Sequence, residues 1–146
     1  MELNIKKFSE LTTDELYEIY HLRSAVFVVE QNCAYLDVDE WDRCSLHVYL
    51  KDEDGIEAYL RVLPQGTAFD EVSIGRVIAV KRRRGLGTQI VKAGIEAAKE
   101  YFDAGSITIE AQVYAKSLYE KLGFIEISDE FMDTGIPHIK MQLTLN

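Results

Sequence analysis

Histidine, cysteine, proline and tryptophan are all scarce in this chain: three, two, two and one among 146 residues. Cys33 and Cys44 are too few for a disulfide framework, and with no export signal free thiols are the better reading. No Cys/His/Asp spacing suggests a metal site, so none is expected. No apolar run approaches a membrane span, and Met1 to Phe8 lack the apolar stretch of a secretory signal. A cytoplasmic protein with no membrane partner is expected. Positive charge is short as well, with 16 Lys and Arg against 25 Asp and Glu. The resulting net charge of −9 disfavours nucleic acid and anionic membranes, and would tolerate or attract a cationic amine. A Gly-x-Ser-x-Gly element and the Gly-Lys-Ser/Thr ending of a Walker A loop are absent. Nor does any repeat, linker or low-complexity tract divide the chain, so residues 1–146 are expected to form one domain.

What stands out is the stretch 76–102. The apolar run Val77-Ile78-Ala79-Val80 predicts a buried strand, and Val91, Gly94, Ile95, Ala98 and Phe102 fall on one face of a following helix. Between them lies Arg82-Arg83-Arg84-Gly85-Leu86-Gly87-Thr88. A glycine-rich turn at a helix start turns unpaired amides outward at the positive end of the helix dipole, which suits a phosphate or pyrophosphate. A Cβ at Gly85 or Gly87 would hold that anion off the backbone. A Rossmann fingerprint is excluded, because its third glycine position is Ile90.

The rest of the chain supplies the frame. Thr12 and Glu15 have the spacing of a capping box, and the apolar stripe after them predicts a helix to about Val29. Residues 31–44 show no period and read as a loop where a substrate could enter, with Tyr35 inside it and Trp41 sealing the core edge. Strands 46–50 and 56–62 flank an Asp54-Gly55 hairpin turn, and a third runs from about Val72 to Ala79. A strand at 107–111, a helix at 115–122 stopped by Gly123, and strands 125–132 and 139–143 complete the order. The class is α+β with a mixed sheet.

Arg82-Arg83-Arg84-Gly85-Leu86-Gly87 matches Arg/Gln-x-x-Gly-x-Gly/Ala and resembles the acetyl-CoA pyrophosphate loop of the GNAT superfamily of N-acetyltransferases. Ser117 to Phe124 is similar to that family's Tyr-x-x-x-Gly-Phe segment. Leu22-Arg23, Val26 to Gln31, Asp39, Asp42 and His47 resemble the small ElaA-like branch. Gly135 to Met141 also occurs there and is similar to the end of glyphosate N-acetyltransferase. The resemblance implies the GNAT acyl-CoA N-acyltransferase fold: a mixed, mostly antiparallel sheet with helices on both faces. It also implies acetyl-CoA as cosubstrate, no metal, and direct transfer to an amine acceptor, read here as a small molecule. A homodimer is compatible with it. The alternative is a non-catalytic module that binds acetyl-CoA as a sensor.

Residue by residue, the resemblance gives the backbone of Val77, Ile78 and Ala79 to the acyl carbonyl. Arg82, Arg83, Arg84, Gly85, Leu86, Gly87, Thr88 and Ser117 go to the rest of the cofactor. The turn before Arg82 is about two residues short of the family's spacing and lacks its proline, leaving open which of Val77 to Val80 faces the cofactor. Transfer needs a proton taken from an ammonium and one given to a thiolate. Tyr119, four residues before Gly123, is the candidate acid; the plainer reading is a core tyrosine. His138 is the candidate base, carried over from the matching segment of glyphosate N-acetyltransferase, and histidine titrates in the useful range. His47 is its rival, or else a substrate contact beside the acidic loop. Arg23 pairs with Glu30, Asp39 or Asp42, or else meets a substrate anion, and Tyr35 is a further substrate contact.

Overall fold

The computed structural model describes residues 1–81 and 85–145. Alternation along β2 (Leu46–Asp52) and β3 (Gly55–Leu63) divides their side chains between two faces. Leu46, Val48, Leu50, Ala58, Leu60 and Val62 share one face. With Val72 and Ile74 they pack against Leu86, Ile90, Val91, Ile95 and Ala98 of α2 (Leu86–Phe102). Each large side chain buried this way is worth roughly 1.5–3 kcal/mol. Tyr49 and Tyr59 take the other face, against Ile19 of α1 (Thr13–Arg23) and Phe27 beyond it. With a helix over each face, every β3 residue after Gly55 is buried. The α2 helix lies close: a Cβ on Gly94 would sit 2.9 Å from Leu60 Cδ2.

The first sheet runs β1 (Glu2–Lys7), β2, β3, β4 (Ser73–Ala79), every neighbour antiparallel. After α2 come β5 (Ser106–Gln112), α3 (Lys116–Lys121), β6 (Ile125–Glu126), β7 (Phe131–Asp133) and β8 (Ile136–Thr144). These strands form a second antiparallel sheet in which β8 pairs with β5, β6 and β7. The two sheets join through one parallel bridge, Val72 to Ile107. There the Thr108 amide donates to Val72 O at 2.9 Å and the Thr108 hydroxyl to Glu71 Oε1 at 2.6 Å. Beyond that bridge no pairing joins β4 to β5 among the described residues, so their facing edges are left open to each other.

The expected elements are present with two changes. The capping box forms as expected, Thr12 Oγ1 accepting from Glu15 N at 3.1 Å and Glu15 Oε1 from Thr12 N at 2.8 Å. The α-helix it starts ends at Arg23, however, and Ser24–Glu30 continue as a π-helix. Its wider turn is seen in the Gln31 amide donating back to Val26 O at 3.1 Å and the Cys33 amide to Val28 O at 3.0 Å. The strand expected over 125–132 is interrupted, leaving the short β6 and β7. Trp41 does not seal the core; it is exposed. Cys33 and Cys44 are both free thiols.

Candidate functional site

The opening begins with a fault in β4. Arg61 of β3 faces Gly75 and Tyr59 faces Ile78, so three steps on β4 span two on β3. The extra residue is a β-bulge, and Arg76 takes it up with φ +55°, in the left-handed region. A bulge reverses which face each later residue meets. Ile74 accordingly packs on the α2 side while Ile78 packs on the α1 side. The Val80 amide donates to Glu57 O at 2.8 Å, which fixes the sense of the backbone. By strand alternation the Ile78 amide also points to β3, while those of Val77 and Ala79 point into the opening. The expected triplet therefore narrows: Ile78 spends its amide on β3 and buries its side chain, and only Val77 and Ala79 offer donors.

At the end of β4 the chain turns toward α2. Arg82, Arg83 and Arg84 lie outside the described residues. Lys81, just before them, sits among three carboxylates: Asp52 at 3.3 Å, Asp54 at 3.2 Å and Glu57 at 3.3 Å. Gly85 adopts φ +68° at the N-cap of α2, and no side chain caps the helix there. Among the described residues no side chain caps the first-turn amides of Leu86, Gly87 and Thr88, the kind of helix start that suits an anion. Leu86 contributes only backbone, because its side chain is in the core. A Cβ on Gly85 would meet nothing within 4 Å, and one on Gly87 would meet Leu118 of α3 at an ordinary 3.5 Å. Among the described residues nothing fills the space at either glycine.

That Leu118 approach places α3 beside the start of α2, and with it the neighbouring Ser117, exposed, and Tyr119. Tyr119 is buried in the α2-side core, its ring edge-on to Phe124 at 5.7 Å. Gly123 makes the turn with φ +101°, which lets the Phe124 amide return to Tyr119 O at 3.1 Å. Burial, with a smaller contribution from Tyr114, pushes the Tyr119 phenol up, so it carries its proton at neutral pH.

His138 stands on β8 opposite Gln112 of β5. Its neighbour Ile139 and then Met141 face the α2 side, so His138 lies on the opposite side of this sheet from Tyr119. Its Nδ1 is 2.7 Å from Ile136 O, and a carbonyl only accepts, so Nδ1 holds the ring proton of the neutral form. Nε2 keeps its lone pair. Phe131 stacks on the ring at 6.0 Å. The end of the π-helix closes on the same corner. Gln31 and Gln112 exchange amide hydrogen bonds at 3.1 and 3.3 Å, and the Cys33 thiol donates to Thr134 O at 3.2 Å.

The loop over residues 31–44 is held by buried charge. Arg23 Nε donates to Asp37 Oδ2 at 2.8 Å, its Nη1 to Asp42 Oδ1 at 2.7 Å and its Nη2 to Asp37 O at 2.8 Å. Arg61 bridges Asp39 at 2.6 Å and Asp42 at 2.9 Å. Arg76 pairs through Nε with Asp37 Oδ1 at 2.7 Å and lies 5.7 Å above the Tyr35 ring. Burial works to raise the Asp42 carboxyl, but the Arg23 hydrogen bond and the Arg23 and Arg61 charges overcome it and hold it low. Tyr35, whose hydroxyl donates to Asp37 Oδ1 at 3.1 Å, is pushed up to about 12, chiefly by burial.

Two expected substrate contacts are corrected by this network. Arg23 has no exposed surface and is spent on Asp37 and Asp42, so pairing is its role. His47 is equally buried, with Nε2 donating to Asp42 O at 2.9 Å and Nδ1 accepting from the Tyr59 hydroxyl at 2.8 Å. Burial lowers its pKa, and with no face open to solvent it is a poor rival to His138 as a base. Sequence reasoning missed Arg61 and Arg76. For Arg61 the signal was there: a charged residue between Leu60 and Val62 in an apolar strand needs a buried partner.

Comparison with known proteins agrees with this architecture. Residues 39–145 match the family model described as an acetyltransferase (GNAT) domain. Protein ElaA of Escherichia coli is 36% identical over 137 residues, covering 91% of this chain and 90% of its own. A UPF0039 protein of Schizosaccharomyces pombe is 39% identical over 149 residues, covering 99% and 98%. The crystal structure of an acyl-CoA N-acyltransferase from Pseudomonas aeruginosa superposes with a TM-score of 0.90 at 33% identity, covering 99% of this chain and all of that one. That of Escherichia coli ElaA gives 0.89 at 33% identity, covering 97% and 98%. The opening beside a bulged strand, the glycine turn on α2 and these similarities agree: the chain belongs to the GNAT acetyltransferase family, on its ElaA-like branch, whose members transfer an acyl group from acyl-CoA.

Proposed function

We propose that the protein moves an acetyl group from acetyl-CoA directly to the amine of a small molecule. The observation that carries this is the opening between β4 and β5, with the Val77 and Ala79 amides aimed into it, Tyr119 on one side of the second sheet and His138 on the other. Acetyl-CoA supplies the activated thioester. The chain's own groups divide the remaining work. The Val77 amide donates to the carbonyl oxygen as negative charge gathers there. His138 Nε2 takes the proton of the attacking amine, its ring fixed by Ile136 O and Phe131. The neutral phenol of Tyr119 gives its proton to the departing thiolate. Acid and base on opposite sides suit a displacement in which the amine arrives from one side and the thiol leaves by the other. Amides of Gly87 and Thr88, with Gly85 making the turn and Ser117 at the rim, receive the cofactor's phosphates, and the Arg82–Arg84 run adds charge. The acetyltransferase description of the matching family supports acetyl as the acyl group. Two free thiols fit a reducing compartment, the cytoplasm.

The test is thiol release from acetyl-CoA across a panel of amino acids, polyamines and aminoglycosides, with acetyl-CoA binding followed by calorimetry. Tyr119→Phe should lower kcat by roughly 10²-fold with binding little changed. His138→Ala should lower the rate ~10²–10⁴-fold and abolish or shift the acid limb of kcat/KM. Binding without turnover of any amine would favour the sensor alternative, and absence of binding would end the acyl-CoA reading.

A further inference from the structure

Arg76 belongs to both walls of the opening. Its backbone, at φ +55°, is the extra residue of the β4 bulge, immediately before the Val77 amide that faces the cofactor side. Its side chain leaves the strand and takes hold of the loop. Nε pairs with Asp37 Oδ1 at 2.7 Å, Nη2 donates to Asp37 O at 3.0 Å, and the guanidinium lies 5.7 Å above the Tyr35 ring. Asp37 is buried and receives Arg23 as well, through Nε at 2.8 Å, so the loop's position is set from α1 on one side and from β4 on the other. The two attachments differ in kind. The Arg23 attachment reaches the C-terminal end of α1. By contrast, the Arg76 attachment originates at the one residue whose backbone geometry decides where the next amide points. A left-handed conformation in a non-glycine residue persists only where surrounding contacts over-determine it, and here those contacts are the loop's.

We propose that Arg76 is a positioning residue that couples the acceptor loop, residues 33–42, to occupancy of the β4 edge by acyl-CoA. A ligand that fixes the Val77 amide fixes the bulge. A fixed bulge holds the guanidinium, and the guanidinium holds Asp37 and Tyr35, so the acceptor wall firms up when the donor is in place. The coupling rests on the acyl-CoA reading above and adds to it a route from donor to acceptor that needs no contact between the two substrates.

Hydrogen exchange read by mass spectrometry over residues 33–42, with and without saturating acetyl-CoA, tests it. In the wild type acetyl-CoA should slow exchange in this segment by ~3-fold or more, the mark of a coupled local opening. Arg76→Gly keeps a residue at ease with positive φ and removes the side chain. It should bind acetyl-CoA within ~2-fold of wild type while the segment no longer responds, and Arg76→Lys, which restores a cation without the fork, should recover part of the response. KM for an amine that the wild type acetylates should rise by ~10-fold in Arg76→Gly, more than kcat falls. Should Arg76→Gly not fold, Tyr35→Ala removes the ring beneath the guanidinium, leaves β4 intact, and should weaken the same response. A full response in either variant, or a wild-type segment indifferent to bound acetyl-CoA, overturns the coupling. A wild type that binds no acetyl-CoA overturns the acyl-CoA reading itself.

Discussion

On the function proposed above, β4 and the start of α2 would offer the acyl donor main chain: the amides of Val77, Ala79, Gly87 and Thr88, with Gly85 bent into positive φ. From Arg23 to Asp42 and on to His138, where the proposed acceptor would sit, what holds the wall is side chain. The two constructions fail differently. Main-chain donors survive most substitutions and are lost to a misplaced Cβ or a lost bulge. A set of buried charges survives nothing that removes one member, because the partner left behind keeps its desolvation cost with no compensation. The donor side can therefore stay constant in chemistry while neighbouring side chains change. The acceptor side changes its chemistry whenever its residues do.

The largest effect that would break this comparison comes from Asp42, which receives both Arg23 and Arg61 at 2.7 and 2.9 Å. Asp42→Asn removes the shared countercharge of two buried guanidiniums and should cost about 3–5 kcal/mol in urea unfolding at an unchanged m-value. A loss below ~1 kcal/mol would mean that water reaches the network and that the loop is not held by charge.

How much of this was legible beforehand follows the same division. The turn at the start of α2 was readable because its residues are adjacent: Gly85-x-Gly87 between an apolar strand and a phased helix states its own backbone geometry. So was the α2 face, with Val91, Ile95 and Ala98 in the core as their spacing required. The loop's anchor was not readable, since Arg23 to Asp37 spans 14 positions and Arg76 to Asp37 spans 39. Nothing local announces such a pair. Asp42 was one of three partners considered for Arg23, while Asp37 went unnoticed as the centre of the cluster. The bulge at Arg76 is invisible in a sequence whose glycine stands one residue earlier, at Gly75, and without the bulge the facing amides cannot be sorted. His47 was misjudged because a residue at a strand start is usually near solvent. Here the loop folds back over it, and Asp42 O seals it.

Two glycines of one helix sharpen the comparison at intermediate size. A methyl on Gly94 would lie 2.9 Å from Leu60 Cδ2 and 3.2 Å from Ile74 Cδ1, both packed core atoms. Gly94→Ala should therefore cost about 1–3 kcal/mol by overpacking, less whatever helix propensity returns. On Gly87 the methyl meets only Leu118 at 3.5 Å. Gly87→Ala should leave stability within ~1 kcal/mol of wild type or raise it, yet weaken acetyl-CoA binding by ~10-fold or more as the phosphate is held off the amides. Unfolding curves and calorimetry on the same two proteins decide the matter. If Gly87→Ala binds as well as wild type, the loop does not touch the anion through its backbone.

The smallest expected effect belongs to the amide pair Gln31–Gln112, which ties the π-helix to β5 directly across from His138. Both residues are half-buried, so water can replace a lost partner, and Gln31→Ala should cost only about 0.5–1.5 kcal/mol, the net worth of ordinary hydrogen bonds. Its value lies in where the effect appears. The Gln31 side chain spends its hydrogen bond on Gln112 of β5, not on β4 or α2. Its loss should raise KM for an amine acceptor while acetyl-CoA affinity stays within ~2-fold, a binding defect on one side of the opening alone. The Gln112 amide, released, is free to turn toward the His138 edge, so acceptors of different size should be affected unequally. Equal weakening of acetyl-CoA and amine would show that the two walls are not separate constructions but one, and a stability loss above ~2 kcal/mol would make the pair a support of the fold rather than of the acceptor wall.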